Sequence, residues 1–283
     1  MIPAEFDYAA PATLDEALSL LQEHGDEAKI LTGGHSLLPL MKLRLARPGM
    51  VVDLRKIDSL STIAVDNGTL RIGAAATHDT IQQSDVVSGH CSMLCECAGE
   101  IGDLQVRNAG TIGGSVVHAD PAADWPAALL AADASMVLVG PAGERTVAAS
   151  DFFVGLMESA IAEGEILTAI TVPTQAAQGG AYLKMEQQAS GFALCGVAAL
   201  VEVDGGKVTS ARVGITGVAT APYRAAAVEA AIGDGLEAAA AHAVGGFTPL
   251  DDIHASSAYR SHLAAVFTRR ALETAAARAG GSA

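Results

Sequence analysis

Two glycine-rich sequences of this chain have the residue types that bind an anionic ligand. They are TGGHS at Thr32 to Ser36 and TIGGS at Thr111 to Ser115. The paired glycines allow a tight turn and a close approach of the backbone, and each sequence ends in a hydroxyl. Backbone N–H groups and hydroxyls are donors that a pyrophosphate accepts. We therefore expect the two sequences to bind one diphosphate from two sides, each through bare backbone N–H groups.

These sequences do not match the common nucleotide-binding motifs. The chain has no G-x-G-x-x-G fingerprint of a Rossmann unit and no G-x-x-x-x-G-K-[ST] phosphate loop. A Gly-Gly pair usually marks an ordinary turn, so one sequence alone is weak evidence for a ligand. The diphosphate hypothesis therefore depends on the two sequences lying together in the fold.

Composition limits the classes of protein to which the chain can belong. Its 283 residues, 50% of them hydrophobic, suffice for two or three domains with their own cores. The formal net charge of −15 argues against a surface that binds nucleic acid. The sequence has no apolar run of the roughly 20 residues that span a bilayer, and its start has no basic and apolar leader pattern. We expect a cytoplasmic protein.

The four cysteines do not predict a metal centre. Cys91, Cys95 and Cys97 lie in one helix-like stretch, and Cys195 is isolated from them. No second cluster of ligands stands at zinc or iron–sulfur spacing. We expect reduced, buried thiols and no metal site in this chain.

The first glycine sequence lies between a predicted strand and a predicted helix. The strand is AKIL, and SLLPLMKL predicts a helix that begins near Ser36. MVVDL is typical of a buried strand. Residues 1–57 are therefore predicted to form a first α/β subdomain. Its glycine sequence follows the carboxyl end of a strand, where phosphate sites form in such units.

A second sheet is predicted to begin near residue 60. Apolar residues alternate on both sides of Asn67-Gly68, which is the strongest short-range signal for a hairpin. DPAADWPAALLAADA predicts a helix that starts at Pro121 with Asp120 as its N-cap. Residues 58–173 form the predicted second subdomain, with further strands SMVLVG, GERTVAA and EILTAITVP.

The last third of the chain predicts a separate domain, residues 174–283, after a linker TQAAQGG at Thr174 to Gly180. From Tyr223 the alanine-rich sequence predicts helices to the end of the chain. Before it, a three-stranded antiparallel meander is predicted from YLKMEQ, FALCGVAALVEV and KVTSARVGITGV. The predicted fold class is α+β, with two α/β subdomains followed by a C-terminal domain of antiparallel sheet and helices.

Several motifs in this order and spacing resemble one known family. They are KILTGGHSLLPLMKLRLARP, VRNAGTIGGSVVHADPAAD, EILTAITVP and YLKMEQ. Together they resemble the FAD-binding medium subunits of molybdenum hydroxylases, a family that includes carbon monoxide dehydrogenase and xanthine dehydrogenase. The resemblance covers essentially the whole chain and implies a PCMH-type FAD-binding domain with FAD as cofactor. The GGHSLLP form and the chain length most resemble the aerobic carbon monoxide dehydrogenase branch.

The resemblance also implies which residues contact the cofactor. Asp124 would accept hydrogen bonds from the ribose or adenine end, and Ile101 and Leu167 would pack on the flavin or adenine rings. Lys184 would lie near the isoalloxazine and stabilise negative charge on the reduced ring. The diphosphate would lie between the two glycine sequences, which contribute Ile30, Leu31, Thr32, Gly33, Gly34, His35, Ser36 and Leu37 from the first and Thr111, Ile112, Gly113, Gly114 and Ser115 from the second.

Each assigned residue also has a structural interpretation. Asp124 would be only a helix cap, and Ile101 and Leu167 would be core residues in any fold. Lys184, in an alternating strand, would be an ordinary solvated side chain.

Two positions near the predicted flavin stay open. The histidine of GGHS also occurs in covalent flavin oxidases, but the downstream motifs favour a non-covalent contact from His35. Family members often carry Tyr or Trp where this chain has Phe192, so the residue covering the flavin face stays unassigned.

The resemblance implies an oxidoreductase subunit for electron transfer with no catalytic residues for the substrate. Its partners would be a molybdopterin-binding large subunit and a [2Fe–2S] small subunit in a dimer of heterotrimers. Electrons would pass from the clusters to FAD and on to quinone or another acceptor, in aerobic oxidation of carbon monoxide, and the complex would be free in the cytoplasm or peripherally bound to the inner face of the membrane. The alternatives are a hydroxylase for a purine, aldehyde or N-heterocycle, a self-sufficient covalent flavin oxidase, and a structural subunit that has lost its cofactor.

Overall fold

The computed structural model describes residues 2–174 and 179–280. Most of the predicted linker, residues 175–178, lies outside the described residues. The helices and strands form the mixed α+β fold that the sequence predicts, with three main sheets and helices packed against them.

A three-stranded parallel sheet builds the first unit. Its strands lie in the order β1-β3-β2, and Ile30 of β2 pairs with Val52 of β3. The predicted strand–glycine sequence–helix arrangement is confirmed, because the first glycine sequence connects β2 to α2. The elements are β1 (Asp7–Ala9), α1 (Leu14–His24), β2 (Ala28–Leu31), α2 (Leu37–Lys42) and β3 (Met50–Asp53).

A five-stranded antiparallel sheet and six helices build the second unit. The strand order is β4-β5-β10-β6-β7. The predicted hairpin is confirmed, with φ of 49° at Asn67 and 74° at Gly68, as its turn requires. The elements are β4 (Ile63–Asp66), β5 (Thr69–Gly73), α3 (His78–Gln82), α4 (Asp85–Gly99), α5 (Leu104–Ala109), α6 (Ile112–His118), α7 (Trp125–Ala131), β6 (Ser135–Gly140), β7 (Gly143–Ala148), α8 (Ala149–Phe152), β8 (Phe153–Gly155), β9 (Glu158–Ser159) and β10 (Ile166–Pro173).

The helix predicted at Pro121 begins four residues later than expected. Asp120 accepts a hydrogen bond from the Ala122 N–H at 2.8 Å and closes a turn instead of capping a helix. Helix α7 begins at Trp125, and a proline occupies its first turn, where a missing N–H has no cost. The predicted start is therefore wrong, because the Asx turn at Asp120 satisfies the donors that a helix start would otherwise leave free.

A four-stranded antiparallel sheet builds the third unit. It contains the predicted meander and adds one short strand, β14, at its edge. The expectation of continuous helix from Tyr223 is therefore wrong, because Tyr223 pairs with Ile215 in the sheet. The elements are β11 (Gly179–Glu186), β12 (Ala193–Asp204), β13 (Lys207–Thr216), β14 (Tyr223–Arg224), α9 (Ala226–Ala230), α10 (Leu236–Ala240) and α11 (Ser257–Arg278).

The third unit packs closely on the second. A Cβ at Gly214 of β13 would overlap the carbonyl oxygen of Ala127 in α7, so only glycine allows this approach. The Thr216 hydroxyl lies 2.7 Å from the carbonyl oxygens of both Pro121 and Ala123, which share its single proton. These contacts fix the segment before α7 against the C-terminal sheet. Within residues 2–174 and 179–280, no helix is both long and apolar enough to cross a membrane.

Candidate functional site

A cavity of about 660 Å³ brings the two glycine sequences together. Its volume lies within the range of small-molecule sites. The β2–α2 connection and the start of α6 form one part of its wall, and the loop Ser190 to Phe192 from the third unit forms another. The convergence on which the diphosphate hypothesis depends is therefore present in the fold.

The first glycine sequence presents a row of free donors to this cavity. Among the described residues, the backbone N–H groups of Gly33 to Leu37 have no hydrogen-bond partner. Gly34 has a φ of 74°, which turns the chain tightly before α2. Consecutive free N–H groups at a turn and a helix start attract an anion. The expected bare N–H groups are therefore present in the first glycine sequence.

Gly33 also lets the two glycine sequences touch. A Cβ at Gly33 would overlap the carbonyl oxygen of Ala109 and would lie 2.6 Å from the Gly110 Cα. No side chain fits between these backbones. Gly33 is therefore needed for the contact itself, whatever ligand the cavity holds.

In the second glycine sequence, the N–H groups of Ile112, Gly113 and Gly114 are hydrogen-bonded within the protein. The Ile112 N–H donates to the Ala76 carbonyl at 3.0 Å, and the Gly113 N–H donates to the Ala74 carbonyl at 2.8 Å. The Gly114 N–H donates to the Thr111 hydroxyl, which caps α6. The expectation of bare N–H groups here is therefore wrong, because this segment pairs with residues 74–76 and begins a helix. The second glycine sequence therefore contributes hydroxyl groups and the surface of its glycines to the cavity wall.

All but two of the residues predicted to contact the cofactor line the cavity. The exceptions are Ile112 and Lys184. Ile112 has no exposed surface and belongs to the core of the second unit. Ile101 and Leu167 do line the cavity, as apolar wall residues. His35 is exposed there, with its Nδ1 2.9 Å from the Gly33 carbonyl oxygen.

Asp124 is a buried carboxylate on the cavity wall. Its Oδ1 accepts a hydrogen bond from the Tyr182 hydroxyl at 2.6 Å and lies 3.0 Å from the Lys184 Nζ. Its side chain makes no cap bond to α7, so the interpretation of Asp124 as only a helix cap is wrong. Within the described chain Oδ2 has no partner. One carboxylate oxygen is thus left for a donor in the cavity.

The ionisation of Asp124 depends on two opposing effects. Burial raises the pKa of the carboxyl, and the neighbouring Lys184 ammonium limits the rise, so that the pKa is about 6. The carboxylate is ionised at neutral pH. It is then an acceptor only, suited to hydroxyl or amino donors of a ligand.

Lys184 holds this carboxylate from behind the cavity wall. Its side chain is fully buried, and its Nζ donates to the carbonyls of Glu100 at 2.5 Å and Gly191 at 2.8 Å. With Asp124 these acceptors use all three N–H donors of the ammonium. The interpretation of Lys184 as a solvated strand residue is therefore wrong. The ammonium joins β11, the end of α4 and the loop that carries Phe192.

His78 also lines the cavity, at a position that no sequence motif predicts. His78 is 4% exposed, and its Nδ1 accepts a hydrogen bond from the Trp125 indole N–H at 3.1 Å. Burial lowers the pKa of His78, and the nearby His35 and Arg107 add to the effect, so that the pKa is about 4. A TH pair at a helix start carries no chemical signal of its own, so only the fold reveals the position.

The thiols are far from anionic. Burial raises the pKa of Cys91 to about 12 and that of Cys95 to about 11. Cys97 and Cys195 are buried. In residues 2–174 and 179–280, no three His, Cys, Asp or Glu side chains stand together in a way that could hold a metal ion.

Comparison with known proteins adds independent information. The family model described as the FAD binding domain in molybdopterin dehydrogenase matches residues 4–175, and that of the CO dehydrogenase flavoprotein C-terminal domain matches residues 180–275. The carbon monoxide dehydrogenase medium chain of Hydrogenophaga pseudoflava is 38% identical, with 98% of this chain and 99% of the relative covered. The 6-hydroxypseudooxynicotine dehydrogenase complex subunit alpha of Paenarthrobacter nicotinovorans is 35% identical, with 99% and 97% covered.

A solved structure agrees with the sequence comparison. The carbon monoxide dehydrogenase from Hydrogenophaga pseudoflava that lacks the Mo-pyranopterin moiety superposes with a TM-score of 0.94 at 39% identity, covering 98% of this chain and 99% of that one. The likeness extends over both matched domains.

Proposed function

The chain belongs to the family of FAD-binding medium subunits of molybdenum hydroxylases, and we propose that it passes electrons from [2Fe–2S] clusters of a partner subunit to an external acceptor. It is an oxidoreductase subunit, and its cofactor is FAD. The single observation that carries the proposal is the cavity in which the two glycine sequences meet.

The groups that line the cavity fit FAD. The free N–H groups of Gly33 to Leu37 suit the diphosphate, whose oxygens accept hydrogen bonds. The free Oδ2 of Asp124 suits a ribose hydroxyl or the adenine amino group. Ile101 and Leu167 offer apolar contacts to the rings. We propose these residues, with the rest of the two glycine sequences, as the FAD site.

Bound FAD would supply the exchange between single-electron and two-electron transfer. The protein positions the groups around it. Lys184 and Tyr182 hold Asp124 ionised and oriented, while the Lys184 ammonium also fixes the Gly191 carbonyl. Phe192, 44% exposed, follows Gly191 in the cavity wall. We propose Phe192 as the residue that shields the flavin face from water, in the place left unassigned by the sequence.

The position of Lys184 does not fit the direct contact with the isoalloxazine that was expected of it. The ammonium lies behind Asp124 with its three donors in use, and its side chain has no exposed surface. We propose that Lys184 acts on the cofactor through Asp124 and the Gly191 carbonyl. It is a positioning residue in this account.

The names of the relatives support the proposed partners. One relative is a medium chain and another is a subunit of a dehydrogenase complex. We propose that this chain works with a molybdopterin-binding large subunit and a [2Fe–2S] small subunit in a dimer of heterotrimers, with quinone as acceptor. We also propose domain boundaries after residues 57 and 173, where one sheet ends and the next begins.

Carbon monoxide is the proposed substrate of the complex. The support is the 38% identity to a carbon monoxide dehydrogenase medium chain over nearly the whole length. The 35% identity to a subunit of a 6-hydroxypseudooxynicotine dehydrogenase complex favours, as second candidate, a hydroxylase of that wider group. The two candidate substrates would differ at the large subunit, because the proposed role of this chain is the same with either substrate.

Reconstitution tests the proposed function. The purified chain is mixed with its large and small partners, and cluster bleaching and acceptor reduction are followed separately after carbon monoxide is added. We expect both signals with FAD, and bleaching without acceptor reduction when this chain is depleted of FAD. Acceptor reduction that is unaffected by FAD removal, or substrate oxidation by the purified chain alone, would overturn the proposal.

A further inference from the structure

His78 lies directly beside the second glycine sequence. The His78 N–H donates to the Gly110 carbonyl at 3.0 Å, and the Ile112 N–H donates to the Ala76 carbonyl at 3.0 Å. Thr77 and Thr111 form an antiparallel bridge between the two segments. The backbone therefore holds the imidazole next to the turn that leads into α6.

The hydrogen bond from Trp125 determines the tautomer of His78. An indole N–H can only donate, so the Nδ1 that receives it carries no proton. The proton of the neutral ring is then on Nε2. Trp125 has no exposed surface, and its indole N–H has no competing bond to water. The ring is thus locked with one N–H donor at Nε2.

That donor lies on the edge of the ring next to Gly110, a residue of the cavity wall. A Cβ at Gly110 would lie 2.9 Å from Nε2 and 3.0 Å from Cδ2, so this edge of the imidazole faces Gly110. Gly110 and His78 both line the cavity. In the part of the chain that the structure describes, Nε2 has no hydrogen-bond partner. A ligand acceptor in the cavity would give this N–H a hydrogen bond that the protein does not supply.

We propose that the Nε2–H of His78 donates a hydrogen bond to the diphosphate of FAD. The inference rests on the proposed function, because it needs FAD in this cavity. The choice of the diphosphate follows from position: His78 borders Gly110, which contacts Gly33 at the start of the free N–H row. The imidazole is neutral at neutral pH, since burial and the nearby His35 and Arg107 disfavour its charged form. It therefore acts as a directed donor without adding charge.

Two substitutions separate this role from a packing role. His78→Leu fills the space but removes the donor, and His78→Gln offers an oxygen to Trp125 and an N–H to the cavity. We expect the dissociation constant for FAD to rise about tenfold in His78→Leu and to stay within about threefold in His78→Gln. His90→Leu is the matched control, because His90 is not among the residues that line the cavity and its Nδ1 bonds to the Val86 carbonyl of its own helix.

The measurement is a titration of each apoprotein with FAD and, separately, with ADP-ribose, which has the diphosphate but no flavin. Equal losses for both ligands in His78→Leu are expected. Unchanged FAD affinity, or a loss confined to FAD, would overturn the assignment to the diphosphate. Failure of the wild-type protein to bind FAD would instead overturn the proposed function.

A direct probe covers the case in which His78→Leu fails to fold. In wild-type protein labelled with ¹⁵N at histidine, addition of ADP-ribose should shift the Nε2 resonance of His78 as its proton enters a hydrogen bond. His78→Gln identifies that resonance by its loss. An Nε2 resonance that does not respond to saturating ADP-ribose would overturn the inference.

Discussion

The hydroxyls of Thr32 and Thr111 lie 2.8 Å apart, so one hydrogen bond joins two glycine sequences separated by 79 positions in the chain. Thr111 also caps α6 through the Gly114 N–H. The two walls of the cavity are therefore fixed to each other by the protein itself. A site that is already ordered loses less entropy when a ligand binds.

Gly114→Val should weaken FAD binding while the protein stays folded. A Cβ at Gly114 would lie 3.0 Å from the Thr111 Oγ1 and 3.2 Å from the Thr32 Oγ1, so the valine would force apart the two hydroxyls. We expect the dissociation constant for FAD to rise by about tenfold or more, which corresponds to about 1.4 kcal/mol. Gly89→Val is the matched control, because a Cβ there meets nothing within 4 Å. Equal FAD affinity in the two variants would contradict the prediction.

Thr111→Val should reduce both stability and FAD affinity. The substitution removes the cap of α6 and the bond to Thr32 together. Loss of an N-cap costs about 1 kcal/mol. Urea unfolding and FAD titration measure the two effects, and Thr111→Ser, which keeps the hydroxyl, should show neither. Unchanged stability and FAD affinity in the valine variant would contradict the prediction.

Lys184→Met should destabilise the protein strongly. The change leaves Asp124 as a buried carboxylate without its cation. Breaking a buried pair by removing one partner costs about 3–5 kcal/mol. The double variant Lys184→Met, Asp124→Asn should recover part of the loss, because no charge is then left unpaired. Denaturant unfolding measures both, and a loss below about 1 kcal/mol in the single variant would contradict the prediction.

His78 should make the protein less stable in acid. Its pKa is lowered to about 4 in the folded state from 6.5, so the unfolded chain binds the proton more tightly between these values. The contribution of the neutral ring is fully present above pH 6.5 and is lost as the pH falls towards 4, up to about 3 kcal/mol. Between pH 6.5 and 4 the wild-type protein should lose more unfolding free energy than His78→Gln. Parallel pH profiles would show that the ring titrates normally.

Part of the site could be predicted from local sequence alone. The first glycine sequence follows a strand and precedes a helix, and both elements are short-range patterns. The second sequence lines the same cavity as the first, as expected, but the pairing of its N–H groups was not expected. That pairing is made with residues 74–76, which are distant in sequence, so no local pattern contains it.

Long-range burial explains the remaining differences. Lys184 has the spacing of a solvated strand residue, but its three acceptors come from α4, the loop at Gly191 and Asp124. His78 acquires its tautomer from Trp125, which lies 47 positions later. In both cases, the chemistry of one side chain is determined by partners that only the packed fold supplies.

The most direct test of the account is to measure how the purified chain holds its flavin. Wild-type apoprotein is titrated with FAD, the complex is precipitated with acid, and flavin is measured in the supernatant and the pellet. Non-covalent binding in the cavity between the glycine sequences predicts one FAD bound per chain, and all of the flavin released into the supernatant. Flavin retained in the pellet, or no saturable binding of FAD by the folded chain, would contradict it.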